Sequence, residues 1–445
     1  MLGRGCVLCS TAPLLKSPQA CLRFASSPIL RGRTSARLPH LMRPVVFVAP
    51  FPLETTLRFA RAAARLHGVR LLAVVQEAPR GHDRKLFSDV VTVKDGLSTG
   101  QLAEAVDWLR KKYGQPQRIV GVLEVIQVQL AKLREHFGVP GTDPDTADLF
   151  RDKARMKDRL RAAGLPVAKH ALIRTRSDAE QFMRLVGFPM VLKPPAGMGA
   201  KATFRVNSAE DLFRAIGGMG ASAQSPVLAE EFLTGVEGSF DTVTTGGVPR
   251  ADSISYYLPT PLQVLENPWI QWCCLLPRSI ETPEFAAVRD VGIQAIQVLG
   301  LRDGFTHMEW FRRPDGSVAI GEIAQRPPGA NITRMIGLAN ELDPYRAWAR
   351  AVIDGAFDGP WHRRHAVGCA FLRGMGRGRV SGTSGLAEAN AAVGRYVEEA
   401  ELPRVGAPKS DSYEGDGHVI VRAASTDVAR RALGKIIETV KVHYA

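Results

Sequence analysis

Two alternating apolar runs joined by a short turn limit the folds open to this chain more than any other segment: HMEWFRRPDGSVAIGEIAQRPPGAN at 307–331. Alternation of this kind indicates half-buried strands, and the Pro-Asp-Gly segment at 314–316 has the composition of a turn. The pattern predicts a hairpin with Glu309 on one strand and Glu322 on the next. Mg²⁺ beside a polyphosphate typically takes one or two carboxylates. The alternative is a surface hairpin with ordinary charges.

Composition excludes several classes of protein. The chain has 445 residues, 45% of them hydrophobic, and a net charge of +14. Basic charge first suggests a nucleic-acid partner. However, the first 43 residues hold seven Lys and Arg and no Asp or Glu, and the remaining basic residues are interspersed with acids. No apolar run reaches the roughly 18 residues of a membrane span. We therefore expect a soluble globular protein of about three domains, with no nucleic-acid and no membrane partner.

Residues 1–42 are predicted to be a disordered leader or targeting-like segment. They are rich in Arg and Ser and free of acids, as a mitochondrial transit peptide is. The alternative is a start placed too early, since Met42 directly precedes the first strand-like run. Outside this segment the cysteines are Cys273, Cys274 and Cys369, which are odd in number and lack CxxC spacing. This usage fits a reducing compartment. We expect a cytoplasmic protein, or a mitochondrial one if 1–42 is a transit peptide.

The rest of the chain divides into four regions. Strand-like and helical runs alternate over 43–150, which predicts a parallel βαβ domain. A polar helical segment at 143–168, ending at Gly164, leads into a small α+β unit covering 151–235. Residues 236–358 mix alternating strands with a helix at 284–301. A glycine-rich α+β region, 359–445, closes the chain with a helix from Thr426.

A glycine-rich segment, PPAGMGAKA at 194–202, directly follows Lys193 at a strand end. Glycine lets the backbone approach an anion, and exposed N–H groups can bind phosphate. The P-loop pattern is absent. Gly197, Gly199 and Ala202 satisfy GxGxx[GA], but a strand-like run follows them where a dinucleotide-binding fingerprint requires a helix. The segment is either a flexible loop covering a triphosphate or a plain hairpin turn.

Further charged residues flank this loop in a fixed order. Lys153 lies upstream, and an acidic strand end, 230–233, followed by Glu237, lies downstream. Two lysines neutralise phosphate charge, and a strand with backbone groups and a carboxylate can bind adenine and ribose. Each element has an ordinary structural alternative, so the hypothesis depends on their joint order.

With this order of residues, the chain resembles the ATP-grasp superfamily over about 44–445. The resemblance implies a pre-ATP-grasp, Rossmann-like parallel-sheet domain, an ATP-grasp fold of two α+β subdomains, and a small C-terminal α+β region. It further implies that ATP is the co-substrate and that Glu309 and Glu322 bind Mg²⁺ or Mn²⁺. The ATP-binding residues that it implies are Lys153, Lys193, Gly197, Gly199, Lys201, Glu230, Glu231, Phe232, Leu233 and Glu237.

One position departs from most of that superfamily, which has Glu-x-Asn at the second metal carboxylate where this chain has Ala324. The combination of Glu322, Ala324, Arg326, Gly329 and Asn331 resembles the L-amino acid ligases instead. By that resemblance Arg326 stabilises an acyl phosphate and Asn331 lies near the metal and phosphates. The position of Ala330 lines the amino-acid pocket, which alanine leaves roomy.

The predicted function is therefore an ATP-dependent carboxylate–amine ligase, with Lys193 and Arg326 as catalytic residues and small-molecule acids and amines, expected to be amino acids, as substrates. The resemblance also allows a homodimer. A biotin-carboxylase-like enzyme, a non-catalytic nucleotide-binding module and a basic nucleic-acid binder remain as alternatives. His307, two residues before Glu309, either contacts the site or is a core histidine.

Overall fold

The computed structural model describes residues 42–197 and 202–445, and every structural statement below refers to them. In this part of the chain the strands form four sheets. Among these residues, every helix is too short or too polar to span a lipid bilayer.

The N-terminal domain is a parallel sheet with strand order β3-β2-β1-β4. Its strands and helices are β1 (Arg43–Val48), α1 (Glu54–Ala64), β2 (Val69–Val75), α2 (Gly81–Arg84), β3 (Asp89–Thr92), α3 (Thr99–Tyr113), β4 (Arg118–Val120) and α4 (Gln127–Phe137). Successive residues of β1 face opposite sides of the sheet. Val45 and Phe47 belong to one apolar cluster, while Val46 and Val48 belong to another. Both faces are thus covered, which confirms the parallel βαβ sheet predicted here.

Two helices, α5 (Pro144–Leu149) and α6 (Lys153–Ala162), connect this domain to the next. The single helical segment predicted over 143–168 is wrong in this respect. Asp152 interrupts it, because its side chain accepts hydrogen bonds from the backbone N–H groups of Ala154 and Arg155 and so caps a new helix. Lys153 therefore occupies the first turn of α6.

The next unit is a small antiparallel sheet with order β5-β8-β6-β7. Its elements are β5 (His170–Ile173), α7 (Arg176–Val186), β6 (Met190–Lys193), β7 (Phe204–Val206), α8 (Ala209–Gly218) and β8 (Val227–Glu231). The two helices cover one face with a shared apolar cluster that includes Phe182 and Leu212. The glycine-rich segment connects β6 to β7, so it links two strands, as the sequence predicts.

An eight-stranded sheet with order β13-β12-β9-β10-β11-β14-β17-β16 forms the rest of the core. The first strands of this sheet and the helices that accompany them are β9 (Val236–Thr245), β10 (Val248–Leu258), α9 (Pro261–Glu266), β11 (Cys273–Leu276), α10 (Pro283–Leu299), β12 (Gly304–Arg312), β13 (Val318–Ala324), α11 (Ile332–Asn340) and α12 (Pro344–Ala349). The hairpin predicted from 307–331 is present as β12 and β13, with Gly316 at φ +85° in its turn.

The C-terminal elements are β14 (Ala366–Leu372), β15 (Val380–Ser384), α13 (Leu386–Val393), β16 (Val397–Glu401), β17 (Gly417–Ala423), α14 (Thr426–Thr439) and β18 (Lys441–Tyr444). β14 pairs with β11, so the large sheet runs without a break across residue 359. β15 and β18 form a separate two-stranded sheet. The C-terminal region thus shares a sheet with the strands that carry the candidate site.

Candidate active site

The two candidate metal carboxylates lie directly opposite each other in the hairpin. Glu309 on β12 pairs in register with Glu322 on β13, and both side chains are half-buried. Burial raises the pKa of Glu309, the negative charge of Glu322 adds to this, and His307 and the nearby lysines oppose it. Burial acts the same way on Glu322, but Lys153 and Lys193 outweigh it and lower the pKa. The pair thus concentrates negative charge that a cation would neutralise.

Lys153 connects Glu322 to the start of the glycine-rich loop. Its Nζ lies 3.0 Å from Glu322 Oε1 and donates to the Gly197 carbonyl oxygen at 3.0 Å. Its backbone N–H donates to the Pro195 carbonyl oxygen at 3.0 Å. The first turn of α6 therefore connects residues 195–197, at the start of the loop, to the hairpin that carries the carboxylates.

Lys193 belongs to a buried charge cluster that also contains Glu230 and Lys157. Lys157 is the member that we did not predict. Glu230 lies 2.9 Å from Lys193 Nζ through Oε2 and 2.8 Å from Lys157 Nζ through Oε1. Lys157 is fully buried and also donates to the Gly321 carbonyl oxygen of β13. Its spacing of four residues from Lys153, which places both on one face of a helix, is the signal that sequence reasoning missed.

The charges in this cluster oppose the effect of burial on one another's pKa values. Burial opposes the charge of Glu230, yet the ammonium groups of Lys157 and Lys193 lower its pKa to about 2. Burial lowers the pKa of Lys157, with Glu230 acting against it. For Lys193, burial is outweighed by the carboxylates of Glu230 and Glu322, so its pKa is raised. Lys193, at the end of β6, is thereby kept charged.

The other residues of the acidic strand end at 230–233, predicted to bind ATP, lie where the small sheet meets the large one. Glu231 accepts a hydrogen bond from the Lys169 backbone N–H at 2.9 Å and from Arg313 Nη2 at 3.2 Å. The Arg205 guanidinium lies 4.5 Å from the centroid of the Phe232 ring. Leu233 follows in the connection to β9 and is half-buried. The side chains of Glu231 and Phe232 therefore already have protein partners at this junction.

Glu237, the predicted ribose carboxylate, lies close to the metal carboxylates. It is buried near the start of β9 and pairs in register with Phe311 of β12. Burial raises its pKa well above the ordinary value, and the charge of Glu309 adds to this. The structure thus brings three carboxylates, those of Glu237, Glu309 and Glu322, to neighbouring strands of one sheet.

Arg326 is held by a residue of the N-terminal domain. Its Nε donates to Glu124 Oε2 at 2.9 Å, while Arg151 Nη1 donates to Glu124 Oε1 at 3.0 Å. Arg151 also donates to the carbonyl oxygens of Ala196 and Gly197, each at 2.9 Å. Sequence reasoning missed Glu124 and Arg151. The available signal was the position of Glu124 just after β4, since the carboxyl ends of parallel strands are where ligand-binding groups gather.

Ala330 and Asn331 form an unusual backbone segment directly before α11. Their φ values are +48° and +58°, a region that non-glycine residues seldom occupy. The Asn331 carbonyl oxygen accepts a hydrogen bond from the Met335 backbone N–H at 2.9 Å. Burial raises the pKa of the neighbouring Cys369 thiol, and a hydrogen bond with Asn331 acts in the opposite direction. Such strained positions often mark ligand sites.

His307 belongs to a buried polar network beneath Glu309. Its Nδ1 lies 2.6 Å from Asp241 Oδ1, and its Nε2 lies 3.5 Å from the Tyr257 hydroxyl. Asp241 also accepts a hydrogen bond from the Ser239 hydroxyl at 2.7 Å. These contacts give His307 the environment of a buried, hydrogen-bonded histidine that also adjoins the site.

The C-terminal region contributes to the site as well. Burial raises the pKa of Tyr413, and the charges of Glu414, Glu309 and Glu237 add to this, so the ring lies near the carboxylates. The Tyr413 ring packs edge-on against Trp272 at 4.8 Å. No feature of the sequence around Tyr413 indicated this contact.

Some predicted residues carry no structural information. Gly199 and Lys201 lie outside the described residues, so their predicted contacts with ATP stay predictions. Within 42–197 and 202–445, no group of three or more His, Cys, Asp or Glu side chains is arranged to hold a metal ion. The predicted binding of a metal ion by Glu309 and Glu322 therefore stays a prediction.

Residues 158–331 match the ATP-grasp domain family. The fold is similar to that of the crystal structure of an L-amino acid ligase from Bacillus licheniformis, with a TM-score of 0.75 at 17% identity over 91% of this chain and 99% of that one. Residues 158–331 are thus similar to the ATP-grasp domain family, and the chain has the ATP-grasp fold that the resemblance implied.

The sequence is also similar to two amino-acid-related ligases. The L-arginine-specific L-amino acid ligase of Bacillus subtilis is 31% identical over 255 residues, which cover 56% of this chain and 61% of that protein. The alanine–anticapsin ligase of Bacillus subtilis (strain 168) is 24% identical over 293 residues, 56% of this chain and 62% of that protein. This chain thus spans less than two thirds of the length of either relative.

Proposed function

We propose that this protein is an ATP-dependent ligase that joins the carboxylate of one amino acid to the amine of another through an acyl phosphate, releasing ADP and phosphate. The observation that carries the proposal is the in-register pair Glu309 and Glu322, with Lys153 bonded both to Glu322 and to the glycine-rich loop. The two similar ligases point to amino acids as the substrate class.

ATP binding rests on charge. The γ-phosphate and the attacking carboxylate repel each other, and phosphoryl transfer depends mainly on positioning and electrostatic stabilisation. Lys153 and Lys193 would bind the phosphates from two sides of the loop. Lys157 is too deeply buried to reach a ligand, and its role is to hold Glu230, which in turn positions Lys193.

The residues present fit a divalent cation. Glu309 and Glu322 repel each other across the hairpin, and that repulsion contributes to the raised pKa of Glu309. These two side chains would hold Mg²⁺ or Mn²⁺, which supplies positive charge against the phosphate oxygens when bound. Alanine at position 324 leaves no third side-chain ligand from this strand, in keeping with the departure noted in the sequence.

Arg326 is the residue proposed to act on the acyl phosphate. A substrate carboxylate oxygen attacks the γ-phosphorus, and ADP leaves. The amine nitrogen of the second substrate then attacks the acyl carbon, phosphate leaves, and the nitrogen loses a proton to solvent. The Arg326 guanidinium would stabilise the oxyanion of this second step. Glu124 fixes its Nε at 2.9 Å, which limits the reorganisation that the arginine must undergo.

The glycine-rich loop is proposed to exclude water, since water would hydrolyse the acyl phosphate. Arg151 and Lys153 together donate three hydrogen bonds to the Ala196 and Gly197 carbonyl oxygens. These contacts fix the start of the loop to α6 and, through Glu124, to the N-terminal domain.

A substrate screen tests this function. Purified protein is incubated with ATP, Mg²⁺ and pairs of amino acids, beginning with L-arginine and L-alanine, and released phosphate and dipeptide mass are measured. We expect phosphate release that requires both amino acids and a product that lacks one water relative to their sum. Glu322→Gln serves as the inactive control. ADP formation that requires bicarbonate and biotin, but no amino acid, would instead support the biotin-carboxylase-like alternative.

The homodimer allowed by the resemblance is a separate proposal. Light scattering on the full chain after size-exclusion chromatography measures its mass directly. A mass near twice that of the 48.4 kDa chain supports the dimer, and a mass near that of one chain contradicts it.

A further inference from the structure

A small cavity separates the N-terminal domain from the large sheet, away from the predicted ATP-binding lysines. Its volume is about 60 Å³. The wall is formed by the edge strand β4, helix α4, the start of β12 and the segment that follows β13. Three arginines, Arg118, Arg134 and Arg326, line this space, and Asp303 is the acidic residue among the described lining residues.

Arg134 places an unpaired cation in this cavity. Its Nε donates to the Ile119 carbonyl oxygen at 2.9 Å, and its Nη1 donates to the Thr142 carbonyl oxygen at 3.5 Å. These bonds fix the side chain along the edge of β4 and leave Nη2 without a hydrogen-bonded partner among the described residues. Within 42–197 and 202–445, no carboxylate lies within 4.0 Å of its guanidinium to form an ion pair.

Arg118 adds a second cation whose charge is not neutralised. Its Nη1 donates to the Gln117 carbonyl oxygen at 2.9 Å, and it likewise forms no ion pair with a described carboxylate. Burial lowers the pKa of Arg134 to about 10, and the positive charge of Arg118 adds to this. The two arginines therefore repel each other across the cavity.

The other charges around the cavity do not cancel this excess. Arg326 is already paired with Glu124 at 2.9 Å. Asp303 accepts a hydrogen bond from the Gly246 backbone N–H at 2.8 Å, which ties one of its oxygens to the β9–β10 turn. One carboxylate thus faces two unpaired guanidinium groups, so the described lining carries a net positive charge.

Gln325 adds a neutral polar group beside the arginines. Its side chain is buried, and its Nε2 donates to Thr142 Oγ1 at 2.6 Å. Its Oε1 has no hydrogen-bond partner among the described residues and is an acceptor, so it contributes nothing to binding an anion.

A purely structural role for Arg134 explains only part of this arrangement. An arginine that fastens α4 to β4 needs the two carbonyl contacts, but it does not need a cavity at its free nitrogen. An arginine with a purely structural role also gains nothing from a second unpaired arginine nearby. Repulsion between the two guanidinium groups destabilises the folded state. Both features are accounted for if an anion occupies the space.

We propose that this cavity is a binding site for a small oxyanion, held by the guanidinium groups of Arg134 and Arg118. A water molecule needs roughly 10–15 Å³ of such volume. The cavity therefore has room for about four waters, or for one oxyanion in their place, and it is too small for a nucleotide. Inorganic phosphate is the probe. The described lining contains none of the residues proposed to bind ATP, although it shares Arg326 with the proposed acyl-phosphate site. The existence of the cavity site does not depend on the proposed ligase activity.

Calorimetric titration of phosphate into the full-length protein tests this proposal. Mg²⁺ and a non-hydrolysable ATP analogue are present at saturation, so that the nucleotide site is filled. We expect one phosphate to bind per chain. Arg134→Gln is expected to weaken binding at least about tenfold, because a charge-assisted hydrogen bond is lost. Arg118→Gln is expected to weaken it by a smaller factor, since its side chain is more exposed.

The control variant is Arg110→Gln, which removes the same charge from the surface of α3, where Arg110 pairs with Asp107 at 2.6 Å. Its phosphate affinity should equal that of the wild type. Sulfate and bicarbonate, titrated at equal ionic strength, identify the preferred oxyanion shape. Chloride that competes as strongly as all three would contradict an oxyanion site.

Two results overturn the proposal outright. One is the absence of phosphate binding to the wild type when the nucleotide site is filled. The other is unchanged affinity in the cavity variants. If Arg134→Gln does not fold, Arg118→Gln decides alone, since its single hydrogen bond to a neighbouring carbonyl makes it dispensable for folding.

Discussion

Replacing Glu230 by glutamine tests the charge cluster that supports the candidate ATP site. The carboxylate lies 2.8 Å from Lys157 Nζ and 2.9 Å from Lys193 Nζ. Glutamine keeps the size of the side chain but removes its charge, which leaves the fully buried ammonium of Lys157 without a counter-ion. We expect Glu230→Gln to lower the free energy of unfolding markedly.

The size of the loss follows from the pKa of Glu230, which falls from an ordinary 4.5 to about 2 in the folded protein. A shift of that size corresponds to about 3 kcal/mol of stabilisation by the ionised form. Removing one partner of a buried ion pair typically costs a similar amount, roughly 3–5 kcal/mol.

The same shift fixes the pH dependence. Because the folded-state pKa of Glu230 is lowered, its stabilising contribution is complete above the ordinary value of 4.5 and is lost as the pH falls from there towards about 2. The difference between wild type and Glu230→Gln should therefore be constant between about pH 6 and 8. Below about pH 4.5 it should shrink by up to 1.4 kcal/mol per unit. The two lysines stay protonated there and add no slope.

Urea unfolding, followed by circular dichroism and tryptophan fluorescence at pH 7 and pH 3.5, measures this difference. Glu231→Gln is the matched control. The Glu231 side chain is 25% exposed, so its ion pair with Arg313 contributes little to stability. A loss below about 1 kcal/mol for Glu230→Gln would refute the reasoning. So would a loss that is the same at both pH values, since the stabilisation then would not depend on the charge of Glu230.

Four further outcomes are expected. Glu322→Gln should lower amino-acid-dependent ADP release at least about a hundredfold, with unchanged circular dichroism, because a charge opposite Glu309 is lost; near-normal turnover would contradict the metal assignment. Lys193→Ala should weaken ATP binding about tenfold or more in a fluorescence titration, while Lys169→Ala should leave it unchanged. Glu124→Gln should reduce kcat about tenfold or more with little effect on the KM for ATP, since it frees Arg326; an effect confined to that KM would argue against this role. Ala330→Gly should raise the melting temperature, since φ +48° costs a non-glycine residue about 1 kcal/mol, and a lowered one would show that the methyl group packs usefully.

Local patterns predicted the parts of the fold that depend on neighbouring residues. The parallel sheet follows from apolar runs that alternate with helices, and both faces of β1 are covered as such runs require. The helix break before Lys153 was missed, because an aspartate cap is compatible with a continuous polar helix until its hydrogen bonds are seen. The continuity of the large sheet across residue 359 was also missed, since the pairing of β14 with β11 joins strands about 90 residues apart.

The same distinction between local patterns and distant contacts holds for the candidate site. Alternation and a turn were enough to place Glu309 and Glu322 on the two strands of one hairpin. Their direct pairing depends on a register shift between Glu309 and Trp310, which the sequence did not reveal. The contact between Glu124 and Arg326 spans 202 positions of the chain, and no local pattern encodes it. Which surplus charges become buried pairs, and which remain unpaired as Arg134 does, is set by distant elements packing together. The sequence therefore determined which chemical groups are available and in what order, while only the folded chain decided which of them meet.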